Sequence, residues 1–134
     1  MLANSLAGLP AFLQYFASGT VLLLLFSFVY TMLTPHSELP LIRKGNVAAA
    51  IAYGGALIGY CLPLASAIAH SVSFADMWTW GGIGLIVQIV VLGMVRVAIP
   101  SLFRDMENGV AAPAVLLAVI SVAAGLINAA SMAY

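Results

Sequence analysis

Few residues in this chain could do chemistry, and their spacing limits what chemistry that is. His36 and Glu38 stand two apart, an imidazole beside a carboxylate. Such a pair is short of the three or four ligands that a zinc site wants. The second histidine, His70, falls at the opposite end of a predicted span, so the two cannot share a metal. The lone cysteine, Cys61, allows no internal disulfide and no cysteine-built zinc site. The sequence offers no nucleophile–base pair, carboxylate pair or phosphate-cradling glycine loop. We therefore expect no enzyme activity, no catalytic residue, no metal and no cofactor.

The remaining candidates are polar groups set in apolar runs, where burial without a partner is costly and function is the default hypothesis. Gln88 lies near the middle of one run. Arg96 follows eight residues later, within roughly 80° of it at 100° per residue, and Gly81 and Gly84 continue the stripe. Asn128 shares a helical face with Ser121, Gly125 and Ser131. Arg96 has two readings: its guanidinium lifts to the interface, or it faces inward to hold an anion, lipid head group or carboxylate. Gln88 reads either as an interhelical hydrogen bond of about 1 kcal/mol or as part of a path. Gln88, Arg96, Asn128 and Ser131 are the candidate intramembrane residues. Thr20, Ser27 and Thr31 form a weaker stripe whose hydroxyls can bond back to their own helix. Tyr53 and Tyr60 read as packing.

The elements that carry these residues follow from composition. Of 134 residues, 64% are hydrophobic and 6% charged, with a net charge of zero, and the mean hydropathy is +1.16. Soluble domains carry about 25% charged residues, so the solvent for this surface is not water. Disorder is excluded on the same ground. Four basic residues offset by four acidic ones leave no electrostatic footprint for nucleic acid.

A bilayer core of about 30 Å needs roughly 20 apolar residues per helix. Four runs qualify, over about 10–33, 47–68, 77–99 and 110–132. Pro10 suits a first turn. Pro35 and Pro100 stop the first and third spans. Asn46, Asp76 and Asn108-Gly109 are expected caps or turns before the second, third and fourth, and Pro113 falls in the first turn of the fourth. Pro63 lies inside the second span, removes the bond to the Gly59 carbonyl and predicts a kink. The first run reads as a span, not a cleaved signal, because Met1–Leu9 hold no Lys or Arg and the run is too long. Arg43, Lys44, Arg96 and Arg104 all fall at one side, which predicts both termini outside. Ser101–Asn108 reads as an amphipathic interfacial turn.

A shift of 65 residues places Gly19 on Gly84, Pro35 on Pro100 and Ala65-Ser66 on Ala130-Ser131. With a shorter loop, Val47-Ala48-Ala49 falls on Val110-Ala111-Ala112. The chain is thus expected to be one membrane domain of two parallel helix-pair repeats, about 10–70 and 76–132. A pseudo-two-fold axis along the membrane normal would relate them. Gly55 and Gly59 in the second span, and Ser121, Gly125 and Ala129 in the fourth, are small residues four apart that let helices approach closely in lipid.

Several of these segments also resemble a known family. They are Thr34-Pro35-His36-Ser37-Glu38, Gly59-Tyr60-Cys61-Leu62-Pro63-Leu64-Ala65-Ser66, Trp80-Gly81-Gly82-Ile83 through Gln88 and Arg96, and Gly125 through Asn128-Ala129-Ala130. With them the chain resembles, over essentially its whole length, the domain-of-unknown-function-350 family. These are the YjfL-like (UPF0719) small bacterial inner-membrane proteins. The resemblance implies a four-span protein of the bacterial cytoplasmic membrane built from two helix pairs, and carries over no catalytic residue.

The expected function is an oligomeric structural or accessory component of the cell envelope. Its partners would be the lipid bilayer, further copies of itself, and a membrane or cytoplasmic protein. The alternative is a subunit of a small oligomeric channel or transporter, with Gln88, Arg96, Asn128 and Ser131 lining it.

Overall fold

Helix is the form that lets an apolar chain satisfy its own backbone without water. A computed structural model describes residues 1–133, and among them are seven helices and no strand. They are α1 (Leu2–Leu6), α2 (Leu9–Leu33), α3 (Glu38–Arg43), α4 (Val47–His70), α5 (Phe74–Ala98), α6 (Leu102–Glu107) and α7 (Ala111–Ser131). Four long helices occupy the four apolar runs, and all four are long and apolar enough to cross a membrane. The short helices α3 and α6 each follow a long one.

The helix ends have local causes. Thr34 and Ile99, which precede prolines, leave the helical region at the ends of α2 and α5. Asn46 caps α4 by accepting from the Ala49 N–H. The cap of α5 differs from expectation. Ser73, not Asp76, is the capping residue: its hydroxyl accepts from the Asp76 N–H, while the Asp76 carboxylate accepts from the Val72 N–H. Asp76 is thus the reciprocal partner in a capping arrangement. Asn108 makes no side-chain cap; Val110 stands at the N-cap of α7, without a side-chain hydrogen bond.

Both short helices end alike. Gly45 donates to Ile42 O and Asn46 donates to Leu41 O; Gly109 donates to Met106 O and Val110 to Asp105 O. Gly45 and Gly109 have φ of +88° and +76°, the left-handed conformation that glycine adopts without steric cost. Asn46 then ties the two turns together, donating to the Met106 carbonyl at 2.8 Å. α6 is amphipathic as expected, with Leu102 and Met106 fully buried and Arg104 and Glu107 exposed.

α4 is the central helix. Buried residues make up 44% of its apolar window, against 28–33% for the other three spans. Its closest neighbour is α7. The small residues make that approach possible. A methyl group on Gly55 would overlap Ala118, one on Gly59 would overlap the Ser121 carbonyl, and one on Gly125 would overlap the Gly59 carbonyl. Pro63 explains part of this. It cannot donate to the Gly59 carbonyl within α4, and that freed oxygen faces the Gly125 backbone of α7. On its other side Pro63 packs against Gly84 of α5, where a methyl would stand 3.1 Å from the ring. Ala129 continues the α7 face, half-buried.

α2 and α5 close the bundle with larger side chains. Phe26 stacks on Tyr60 at 4.9 Å between ring centroids, and Leu22 fills the space that Gly81 leaves. The Tyr60 hydroxyl donates to the Gly81 carbonyl at 2.8 Å, and Ser27 is hydrogen-bonded to Tyr53. Thr20 and Thr31 bond back to their own helix. Outward faces carry Leu24, Phe28, Ile86, Met94 and Ile127, all well exposed, a surface suited to hydrocarbon.

The crossing predicts a sharp contrast between glycines. Gly125→Leu must displace backbone atoms of α4 and should destabilise the bundle by about 3 kcal/mol or more. Gly93→Ala, which meets nothing within 4 Å, should change stability by less than about 1 kcal/mol. Thermal unfolding in mild detergent, followed by tryptophan fluorescence, measures both; equal effects would contradict the packing.

Candidate functional site

Two polar sites are buried in this apolar fold. The first lies at the α4–α7 crossing. Gln88 is 3% exposed, and its Nε2 donates to the Ser121 carbonyl at 3.0 Å. Gly59 makes room for it: a methyl there would stand 3.2 Å from Nε2. The stripe of Gly81, Gly84 and Gln88 therefore faces α4, with Tyr60, Pro63 and Gly59 as the respective contacts. The Gln88 Oε1 is buried without a hydrogen-bond partner, so the amide is half satisfied.

The other candidates stand elsewhere. Asn128 lies two turns along α7 from Ser121, roughly 10 Å. Its Oδ1 is buried without a hydrogen-bond partner. It lines an open, largely apolar cleft of about 420 Å³ between α5 and α7, together with Ile83, Val87, Ala124 and Ser131. Arg96 is exposed in the last turn of α5, and its guanidinium lies 5.5 Å over the Phe103 ring. It stands about 12 Å along the helix from Gln88. Gln88, Asn128 and Arg96 thus occupy three places, and within one chain they line no common path.

The second site was not singled out as a site from the sequence. It is the turn that follows α2. Thr34, His36 and Glu38 are 5%, 6% and 2% exposed. The Thr34 hydroxyl is hydrogen-bonded to a Glu38 carboxylate oxygen. The His36 Nε2 stands 3.5 Å from the same oxygen, yet neither ring nitrogen is hydrogen-bonded, and the Glu38 Oε2 has no hydrogen-bond partner. The imidazole packs edge-on against Phe103, 5.9 Å between centroids, so His36 and Arg96 meet on one α6 side chain. A signal was there to read. Four polar residues in five, Thr34, His36, Ser37 and Glu38, follow the end of an apolar span around Pro35.

The chain matches the family model described as "Domain of Unknown Function (DUF350)" over residues 4–132. It is 39% identical over 129 residues to the "UPF0719 inner membrane protein YjfL" of Escherichia coli strain K12, covering 96% of this chain and 98% of that one. It is 27% identical over 120 residues to the "UPF0719 transmembrane protein YshE" of Bacillus subtilis strain 168, covering 88% and 90%. No solved structure matches it significantly.

Gln88→Met would remove the donated hydrogen bond and the partnerless Oε1 together, and the Ser121 carbonyl keeps its partner within α7. The unfolding free energy should then stay within about 1 kcal/mol of wild type. A loss above about 3 kcal/mol would show that Gln88 anchors a larger network.

Proposed function

The chain belongs to the DUF350 family, and on that premise we propose that it is a non-conducting, self-associating structural or accessory protein of the cell envelope. It is a multi-pass protein of the inner membrane. One observation carries the proposal: the most deeply placed amide, that of Gln88, is turned onto the Ser121 carbonyl where Gly59 and Gly125 close the bundle. A conduit built from one chain would need such a group to face water.

Self-association draws on a surface other than the small-residue faces. Gly55, Gly59, Ser121 and Gly125 are spent on packing α4 against α7 within the chain. The support comes from Asn128, whose Oδ1 lacks a hydrogen-bond partner in a cleft open to the membrane. Lipid tails offer no donor, and a second subunit can. The reading assigns the protein no enzymatic step.

We also read the chain as a duplication with both termini outside. Each half runs long helix, six-residue helix, long helix, and each short helix ends on a glycine of positive φ. These parallels support two repeats about a pseudo-two-fold axis along the membrane normal. Arg43, Lys44, Arg96 and Arg104 gather at one end, which supports that end as the cytoplasmic one.

Pure protein in liposomes should pass no potassium, chloride or small neutral solute above the empty-liposome rate, with wild type and Gln88→Leu alike. Flux that Gln88→Leu changes would overturn the proposal in favour of a channel or transporter subunit. Separately, alkaline phosphatase fused after the C-terminus should be active in cells; an inactive, stably expressed fusion would reverse the orientation.

A further inference from the structure

Two guanidiniums and one carboxylate share a cleft at the basic end of the bundle without sharing a bond. Arg96, in the last turn of α5, and Arg104 and Glu107, on α6, line a surface cleft of about 520 Å³ together with Ser101 and Phe103. All three charged side chains are exposed. Among the described residues neither guanidinium stands within ion-pair distance of Glu107 or of any other acidic side chain. The second acid of α6, Asp105, is engaged by the Ser101 hydroxyl, which donates to it at 2.8 Å. Arg96 is held over the Phe103 ring, 5.5 Å from its centroid. A guanidinium set against an aromatic ring keeps its N–H groups for an oxygen acceptor. Opposite charges that line one cleft beyond ion-pair distance leave room between them for a group that carries both signs.

We propose that this cleft binds the head group of a phospholipid bearing a primary ammonium, with its phosphate on Arg96 and Arg104 and its ammonium on Glu107. Guanidinium N–H groups match phosphate oxygens in pairs. Glu107 decides the class of head group. A purely anionic one would set a second negative charge beside the carboxylate, which costs energy, and a choline group has no N–H to give it. The acyl chains have a surface to lie on. α5 is long and apolar enough to cross a membrane. Ile86, Val90 and Val97 are exposed along one of its faces, and Gly93, three residues before Arg96, meets nothing within 4 Å. A lipid aligned with α5 brings its phosphate to the level where that helix ends, which is where Arg96 stands. Burial of Leu102 and Met106 fixes α6 there with Arg104 and Glu107 outward. The site is independent of whether the protein conducts or self-associates.

The test titrates lipids of identical acyl chains onto the full chain in a neutral detergent and reads the bound fraction by native mass spectrometry. Phosphatidylethanolamine should bind saturably, and about fivefold or more tighter than phosphatidylcholine, phosphatidylglycerol or diacylglycerol. Arg96→Gln and Arg104→Gln should each weaken it by about fivefold or more. Glu107→Gln should erase the preference over phosphatidylglycerol. Lys44→Gln, a basic residue outside the cleft, should change nothing. Soluble phosphoethanolamine at equal concentration should not displace the lipid, which separates a membrane ligand from a dissolved one. Arg104→Gln carries the test if Arg96→Gln disturbs α6, since it leaves the contact of Arg96 with Phe103 in place. Equal affinity for phosphatidylcholine, tighter binding of phosphatidylglycerol, displacement by phosphoethanolamine, unchanged affinity in Arg104→Gln, or loss in Lys44→Gln would each overturn the proposal.

Discussion

The close approach of Gly59 and Gly125 is the contact on which the rest of the fold depends. In hydrocarbon, apolar surface gains nothing by leaving the solvent, so helices associate through dispersion, hydrogen bonds and backbone proximity. α4 and α7 reach that proximity because Gly59 and Gly125 have no side chains where the two backbones meet. Pro63 contributes twice. It leaves the Gly59 carbonyl without a helical donor, and its ring fills the hollow opposite Gly84. One imino acid thereby sets the packing of α4 against α7 on one side and α5 on the other. Gln88 enters through the same gap, since the space a Gly59 side chain would occupy is where its amide passes to Ser121.

The end of the bundle that carries the basic residues is organised differently. There the polypeptide leaves its long helices twice, and hydrogen bonds add to the apolar packing of Leu102 and Met106. Asn46 caps α4 with its oxygen and holds the α6 turn with its nitrogen. One amide thus links two turns that lie 60 residues apart. Phe103 receives Arg96 on its ring and His36 at its edge. The opposite end has Asp76 and His70 among the acidic and basic side chains. Polar chemistry is therefore concentrated at one boundary, and the membrane interior is left to shape.

Most of the fold was legible because its signals are local or compositional. Apolar length marks the four spans, proline ends two of them, and Gly109 marks a turn. The errors were also local. Asp76 was read as a cap although Ser73 stood three residues earlier, and the two exchange roles only once the turn is formed. The small residues were recognised as packing faces, but their partner was not. Spacing says that a helix can be approached closely and does not say by which helix. The polar candidates suffered most. Gln88 and Arg96 share a helix, yet one bonds to α7 and the other lies over α6.

The sequence by itself determined that this protein lives in a bilayer, with four helices, and which of its residues are small, polar or charged. These follow from hydropathy and 3.6-residue periodicity, which need no knowledge of neighbours. Tertiary structure alone decided that Gly59 meets Gly125, that Gln88 is turned onto Ser121, and that Thr34, His36 and Glu38 are buried together. Exposure and partnership arise from where separate helices and turns come to rest. A residue's type states what it could bond, and only the fold states what is left for it to bond with.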